Sequence, residues 1–271
     1  MDAGNPKDQS KPTLRDYEAW LVRNGHVTNL VAHRNHYELV TRGLLDTFKD
    51  SDFWQSILDG MRDVDAQYVV DHKYPLIAEL PTIVIKPWRS FLEKTYRKNI
   101  VSNSHFPESP EGGWITPQNW YTRISDIVRT TIIVKYLDGV PLILEFLRTQ
   151  APEFGLQFES NLEARSDGYY GGHFLCSKDC DIPTLDWTKT PQRVVFEIQI
   201  TTSIKDVIKR LLHSYYETRR VEVETPSSQA LAWNYKTEEF AASYLGHILH
   251  YVEGMILEMR DRRRDGGQYG V

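Results

Sequence analysis

Nine residues, Val194-Val195-Phe196-Glu197-Ile198-Gln199-Ile200-Thr201-Thr202, constrain this chain more than any other stretch. Apolar and β-branched side chains dominate them, so the segment reads as a buried strand. Glu197 and Gln199 stand two apart and leave the same face of that strand. Burying an amide with no partner costs about 2–7 kcal/mol, and an isolated carboxylate costs more. The pair therefore lies either at a wet sheet rim or at a functional site. The strand alone leaves both readings open.

With 271 residues, 41% of them hydrophobic, the chain has ample material for one large core with helical extensions. Its formal charge of −5 gives no general attraction to nucleic acid or to an anionic membrane surface. Cys176 and Cys180 are the only cysteines; their spacing matches no strong zinc signature and two thiols make no disulfide framework. A cytoplasmic location is expected. The polar, proline-bearing segment 1–12 is expected to be a loose tail, neither signal peptide nor anchor. No apolar run is long enough to span a bilayer, so no membrane partner is expected.

Residues 13–80 read as a helical region, with Tyr37, Leu44, Leu45, Phe48, Trp54, Ile57 and Leu58 on its apolar face. Gly60 and Asp63 suggest a break, after which helix resumes to Leu80. His26, His33 and His36 lack carboxylates at ligand spacing and read as surface histidines. Residues 81–220 read as a core. It starts with the strand 82–86, and Pro87 opens a helix after it. On that helix Trp88, Phe91, Leu92 and Thr95 share one face. Lys86, Ser90, Lys94 and Arg97 recur every three or four residues near the opposite face. Such a basic face is ordinarily only solvated. Here Glu93 alone opposes it, and several cations pointing one way suit a polyphosphate.

A loop over 99–119 leads to Asp126, at the entrance of the strand 127–134. A short helix at 140–147 and a strand near 156–164 follow. In Gly168-Tyr169-Tyr170-Gly171-Gly172-His173 the glycines let the backbone come close to a ligand while a ring stays free to stack; a plain hairpin turn is the simpler alternative. A helix at 204–218 carries His213. Residues 221–271 read as a loop and a long amphipathic helix, 238–264, where Phe240, Tyr244, Ile248, Val252 and Ile256 recur every four residues. That helix offers a surface for a homo-oligomer.

Three pieces in this order, Ile85-Lys86 with Ser90 to Lys94, Ser125-Asp126-Ile127, and Gly168-Tyr169 with His173 before Glu197-Ile198-Gln199, resemble the RelA/SpoT family of alarmone synthetases in its short, synthetase-only form. The resemblance covers residues 80–220. The chain has no His-Asp dipeptide, the mark of the family's hydrolase domain, so none is expected. The resemblance implies an α/β (α+β) fold, a mixed sheet flanked by helices, related to nucleotidyltransferases. It implies transfer of the β,γ-pyrophosphate of ATP to the 3′-hydroxyl of GDP or GTP, with Mg²⁺ as cofactor. Lys86, Ser90 and Lys94 match the segment that holds ATP phosphate, with Arg97 and Arg129 beside it. Asp126 matches the metal-binding Asp, and Glu197 the catalytic Glu, which also reaches the metal. Tyr169, His173, Gln199 and His213 match the acceptor side.

The chain departs from the family pattern where arginines are usual, at Val84, Thr131 and Thr201, and has Leu212 for a usual Glu. Fewer cations suggest a different acceptor, such as an adenine nucleotide or the 3′ end of tRNA, as in toxin-like members. A degenerate nucleotide-binding module is the remaining alternative.

Overall fold

The computed structural model describes residues 10–186, 188–211 and 233–266. Two capped helices carry most of the amino-terminal core. After α1 (Tyr17–Arg23), the Asn29 side chain accepts from Ala32 N and starts α2 (Leu30–Lys49). Ser51 accepts from Trp54 N and starts α3 (Asp52–His72). Their buried residues follow the three-four spacing of one helical face: Tyr37, Val40, Leu44 and Phe48, then Phe53, Trp54, Ile57, Met61 and Tyr68.

The chain then enters a six-stranded sheet through β1 (Ile77–Glu79) and β2 (Ile83–Ile85), both antiparallel to β3 (Val128–Val134). Between β2 and β3 run α4 (Trp88–Tyr96), a π-helical turn (Arg97–Val101) and the short α5 (Trp120–Arg123). α6 (Gly139–Gln150) leads to β4 (Gln157–Ala164), β5 (Tyr170–Pro183) and β6 (Lys189–Thr202). The sheet order is β1-β3-β6-β5-β4; β3 and β6 are parallel, and β5 is antiparallel to both its neighbours. α7 (Ser203–Leu211) leaves β6, and α8 (Glu238–Gly266) closes the described chain.

One sheet face is packed and the other carries polar groups. Val128, Ile132, Val134, Phe196, Ile198, Ile200 and Phe174 are buried in one cluster with the apolar faces of α2, α3 and α6. Phe48 stacks on Phe196 with ring centroids 4.6 Å apart. Side chains alternate along a strand, so this packing turns Glu197 and Gln199 to the other face.

Several sequence expectations fail for identifiable reasons. Gly60 does not break α3: the Phe146 ring of α6 occupies the space a side chain would need, so this glycine is a packing position. The last helix of the amino-terminal region ends at His72 rather than Leu80, because residues 77–79 pair with β3. His33 is buried rather than on the surface. Residues 10–12 are tied down, with Lys11 Nζ donating to the carbonyls of Val101 and Asn103 and Tyr96 Oη to that of Pro12. The rest of the tail, residues 1–9, lies outside the described residues, as do His213 and the segment 212–232. Among the described residues no helix is long and apolar enough to cross a membrane.

Candidate active site

The register of β2, β3 and β6 assembles the first half of the site. Val84 pairs with Arg129, and Arg129 with Glu197, so these three and the alternating Lys86, Thr131 and Gln199 share the polar face. Asp126 lies just before β3. Lys86 Nζ donates to Asp126 Oδ2 at 2.9 Å, and Lys94 Nζ, from the last turn of α4, stands 2.8 Å from Oδ1. Arg129 is 3.9 Å away on the same side. The Lys86 backbone is fixed at both ends: its N–H donates to Ile127 O, and its carbonyl accepts from Tyr37 Oη at 2.7 Å. Burial pushes the Asp126 carboxyl up, but the two ammonium groups outweigh it and pull the group down to about 2. Burial lowers Lys86, with Asp126 opposing. The cluster is ionic, with Lys86 and Asp126 buried and Lys94 and Arg129 part-exposed.

Glu197 anchors the second half. Its Oε1 is 3.3 Å from His173 Nδ1, on β5. His173 Nε2 lies 2.8 Å from Tyr169 Oη and 2.9 Å from Glu163 Oε2, on the edge strand β4. Burial pushes Glu197 up, but hydrogen bonds from His173 and Gln199 hold it below the ordinary range against the repulsion of Asp126. Arg129, which pairs with Glu197 in the β3–β6 register, also stands 3.9 Å from Asp126. Glu197 Oε2 is buried and has no hydrogen-bond partner among the described residues. Burial, with Glu163 nearby, raises the Tyr169 phenol to about 12, so it remains a donor.

The turn that carries Tyr169 is fixed by α8. Gly168 has φ +82° and crosses α8 so closely that a side chain on it would collide with Ser243 O, and one on Gly246 would collide with the Gly168 backbone. Next to it Tyr170 stacks on His250 at 3.7 Å and its hydroxyl lies 2.8 Å from His247 Nδ1. Lys205 Nζ, from α7, is 3.3 Å from the buried Glu253 of α8.

The structure thus brings Lys86, Lys94, Asp126, Arg129, Glu197, Gln199, His173 and Tyr169 to one face. Ser90 is half-buried one turn before Lys94, and Arg97 follows one turn after it. The Tyr169 ring is not bare, as the glycine-rich sequence suggests: Arg165 lies over it, 4.8 Å from the centroid, and its hydroxyl end rests against Gly171. Three residues escaped the sequence reading. Glu163 sits on an edge strand, and Arg165 in the turn after it, and only the β4–β5 register discloses their partners. Lys209 reaches back from α7 to donate to Gln199 Oε1 at 3.1 Å, bringing a cation to the region of Thr131 and Thr201. A separate cavity of about 550 Å³, lined by His72, Tyr74, Tyr136, Ile256, Met259 and Arg260, lies at the other end of β3.

No protein-family model and no curated protein sequence matches this chain. Solved structures do. The protein smu.1046c of Streptococcus mutans UA159 matches with a TM-score of 0.51 at 19% identity, over 83% of this chain and 100% of that one. The small alarmone synthetase 1 of Bacillus subtilis, bound to its product pppGpp, matches with a TM-score of 0.50 at 16% identity, over 80% and 96%. The fold is that of a small alarmone synthetase. In this chain the synthetase fold supplies one packed sheet face and one face free for polar chemistry; at such identity the residues must be argued on their own geometry.

Proposed function

We propose that this protein is an ATP-dependent pyrophosphokinase, which moves the β,γ-pyrophosphate of ATP to the 3′-hydroxyl of a guanine nucleotide, GDP or GTP. One observation carries the reading. The Lys86–Asp126–Lys94 cluster and the Glu197–His173–Tyr169 network meet on one polar sheet face. Phosphoryl-group transfer is mostly positioning and charge neutralisation, and buried, preoriented cations serve both. Lys86, Lys94 and Arg129 receive the ATP phosphates, with Ser90 and Arg97 along the same helix. Glu197 accepts the acceptor's hydroxyl proton. The new O–P bond forms at the β-phosphorus, the bond from that phosphorus to the oxygen bridging the α-phosphate breaks, and AMP leaves.

Magnesium fits this donor set. It binds through one or two carboxylates and completes its shell with phosphate oxygens and water. Glu197 Oε2 is a buried carboxylate oxygen in need of a partner, and Asp126 stands just before the neighbouring strand β3. Among the described residues no group of three or more His, Cys, Asp or Glu side chains is placed to hold a metal ion. Asp126 and Glu197 would hold the ion, which when bound neutralises charge on the transferring group.

A second reading, the same chemistry on an adenine nucleotide or on the 3′ end of tRNA, is favoured by Val84, Thr131 and Thr201. These stand on the site face where the family carries arginine. Incubation with γ-³²P-ATP, Mg²⁺ and GDP, GTP, ATP or deacylated tRNA tests both. Label in GDP or GTP with release of AMP is the expected result; label in another acceptor selects the second reading. Label only as inorganic phosphate, or in nothing, overturns the proposal.

A further inference from the structure

α7 is tied to three neighbours on its way to the site. Ser203 Oγ, at its first residue, donates to Val134 O at 3.3 Å, at the end of β3. Lys205 Nζ stands 3.3 Å from Glu253 of α8, and both side chains are largely buried. Arg210 reaches Glu79 of β1 at 3.2 Å and Asp206 of its own helix at 2.6 Å. Residues four apart share a helix face, so Lys209 follows Lys205. From there Lys209 Nζ donates to Gln199 Oε1 at 3.1 Å. Gln199 lies in the middle of the polar face, opposite Thr131 on β3 and His173 on β5. Its amide donates to Glu197, two residues back on the same strand. An amide has one accepting end and one donating end. With Lys209 on the oxygen, the nitrogen is the end turned to the carboxylate.

We propose that Lys209 is a positioning residue for the base of the transfer: it holds Gln199 by the amide oxygen, and Gln199 in turn aims the Glu197 carboxylate. This rests on the proposed function, in which Glu197 is that base. A charged donor on the oxygen polarises the amide and strengthens its N–H bond to the carboxylate. Gln199 thus adds to the hold of His173, which stands 3.3 Å from Glu197 Oε1. A base kept in one orientation, within reach of the hydroxyl, spends less of the barrier on alignment. α7 follows β6 directly, so the strand that carries the base also leads into the helix that aims it.

The test is a double-mutant cycle with the acceptor found by the radiolabel panel. Single-turnover transfer rates and steady-state KM values are measured for wild type, Lys209→Met, Lys209→Arg, Gln199→Leu and the Lys209→Met, Gln199→Leu double variant, with thermal unfolding as a folding control. Lys209→Met should slow transfer about tenfold and leave the KM for ATP nearly in place. Lys209→Arg, which keeps a charged donor, should recover most of the rate. In the Gln199→Leu background Lys209→Met should cost nothing further, because no amide remains for it to hold. An unchanged rate in Lys209→Met, a raised KM as its only effect (the ammonium then touching substrate), or losses that add in the double variant overturns the assignment of Lys209 alone. A wild-type protein that transfers to no acceptor overturns this inference together with the function on which it rests.

Discussion

Asp126 and Glu163 are both carboxylates held by cations, yet they work under different conditions. Asp126 is 12% exposed and its partner Lys86 7%. Glu163 is 28% exposed and its partner Arg165 51%. The first cluster sits where β2 ends and β3 and α4 begin, pinned by backbone hydrogen bonds. The second hangs on an edge strand and a turn braced by α8. A buried charge cluster tolerates no missing member, because the remaining charge has nowhere to go. An exposed one can exchange partners with water. Under the proposed function the fixed half would receive the polyphosphate of ATP. The adjustable half would, under the same function, receive the acceptor.

Glu197 joins the two halves, so its loss should have the largest effect. Glu197→Gln keeps the shape but removes the base, and single-turnover transfer should slow by about 10²–10⁴-fold while acceptor binding persists. Retained transfer would separate the chemistry from this junction.

Stability should divide the halves next. Asp126→Ala leaves Lys86 buried without its anion and should cost about 3–5 kcal/mol in urea unfolding. Glu163→Ala removes a part-exposed pair and should cost under about 1 kcal/mol. Equal losses would mean that the two clusters are equally structural.

The smallest effect concerns the brace. Burial lowers the His250 pKa below its ordinary value of 6.5, and Lys205 and His247 lower it further. Tyr170 and Glu253 also face this corner. A depressed folded value means that the unfolded ring takes up its proton first. The stabilisation is thus complete above pH 6.5 and fades as pH falls through the lower folded value. Thermal unfolding between pH 7.5 and 5 should show wild type losing more than His250→Phe; parallel curves would remove His250 from the account.

How much of this the sequence discloses follows from the range of each interaction. The strand with Glu197 and Gln199 is legible because alternation is local. Lys94 is legible because Pro87 marks the start of its helix, whereas Lys86 lies before that helix, at the end of β2, and meets Lys94 only at Asp126. Gly60 misleads because its reason, the Phe146 ring, lies in a helix far along the chain. β1 is hidden because three residues carry too little pattern. Glu163, Arg165 and Lys209 join the site only through register and helix return, which no single segment contains.

The central claim, that one half of the face serves ATP and the other the acceptor, is tested most directly by titrating both ligands against two variants. Lys94→Ala should weaken ATP and spare the acceptor. Tyr169→Ala should weaken the acceptor about 10- to 100-fold and spare ATP. Variants that fold and weaken both ligands equally, or that exchange these effects, would contradict the division.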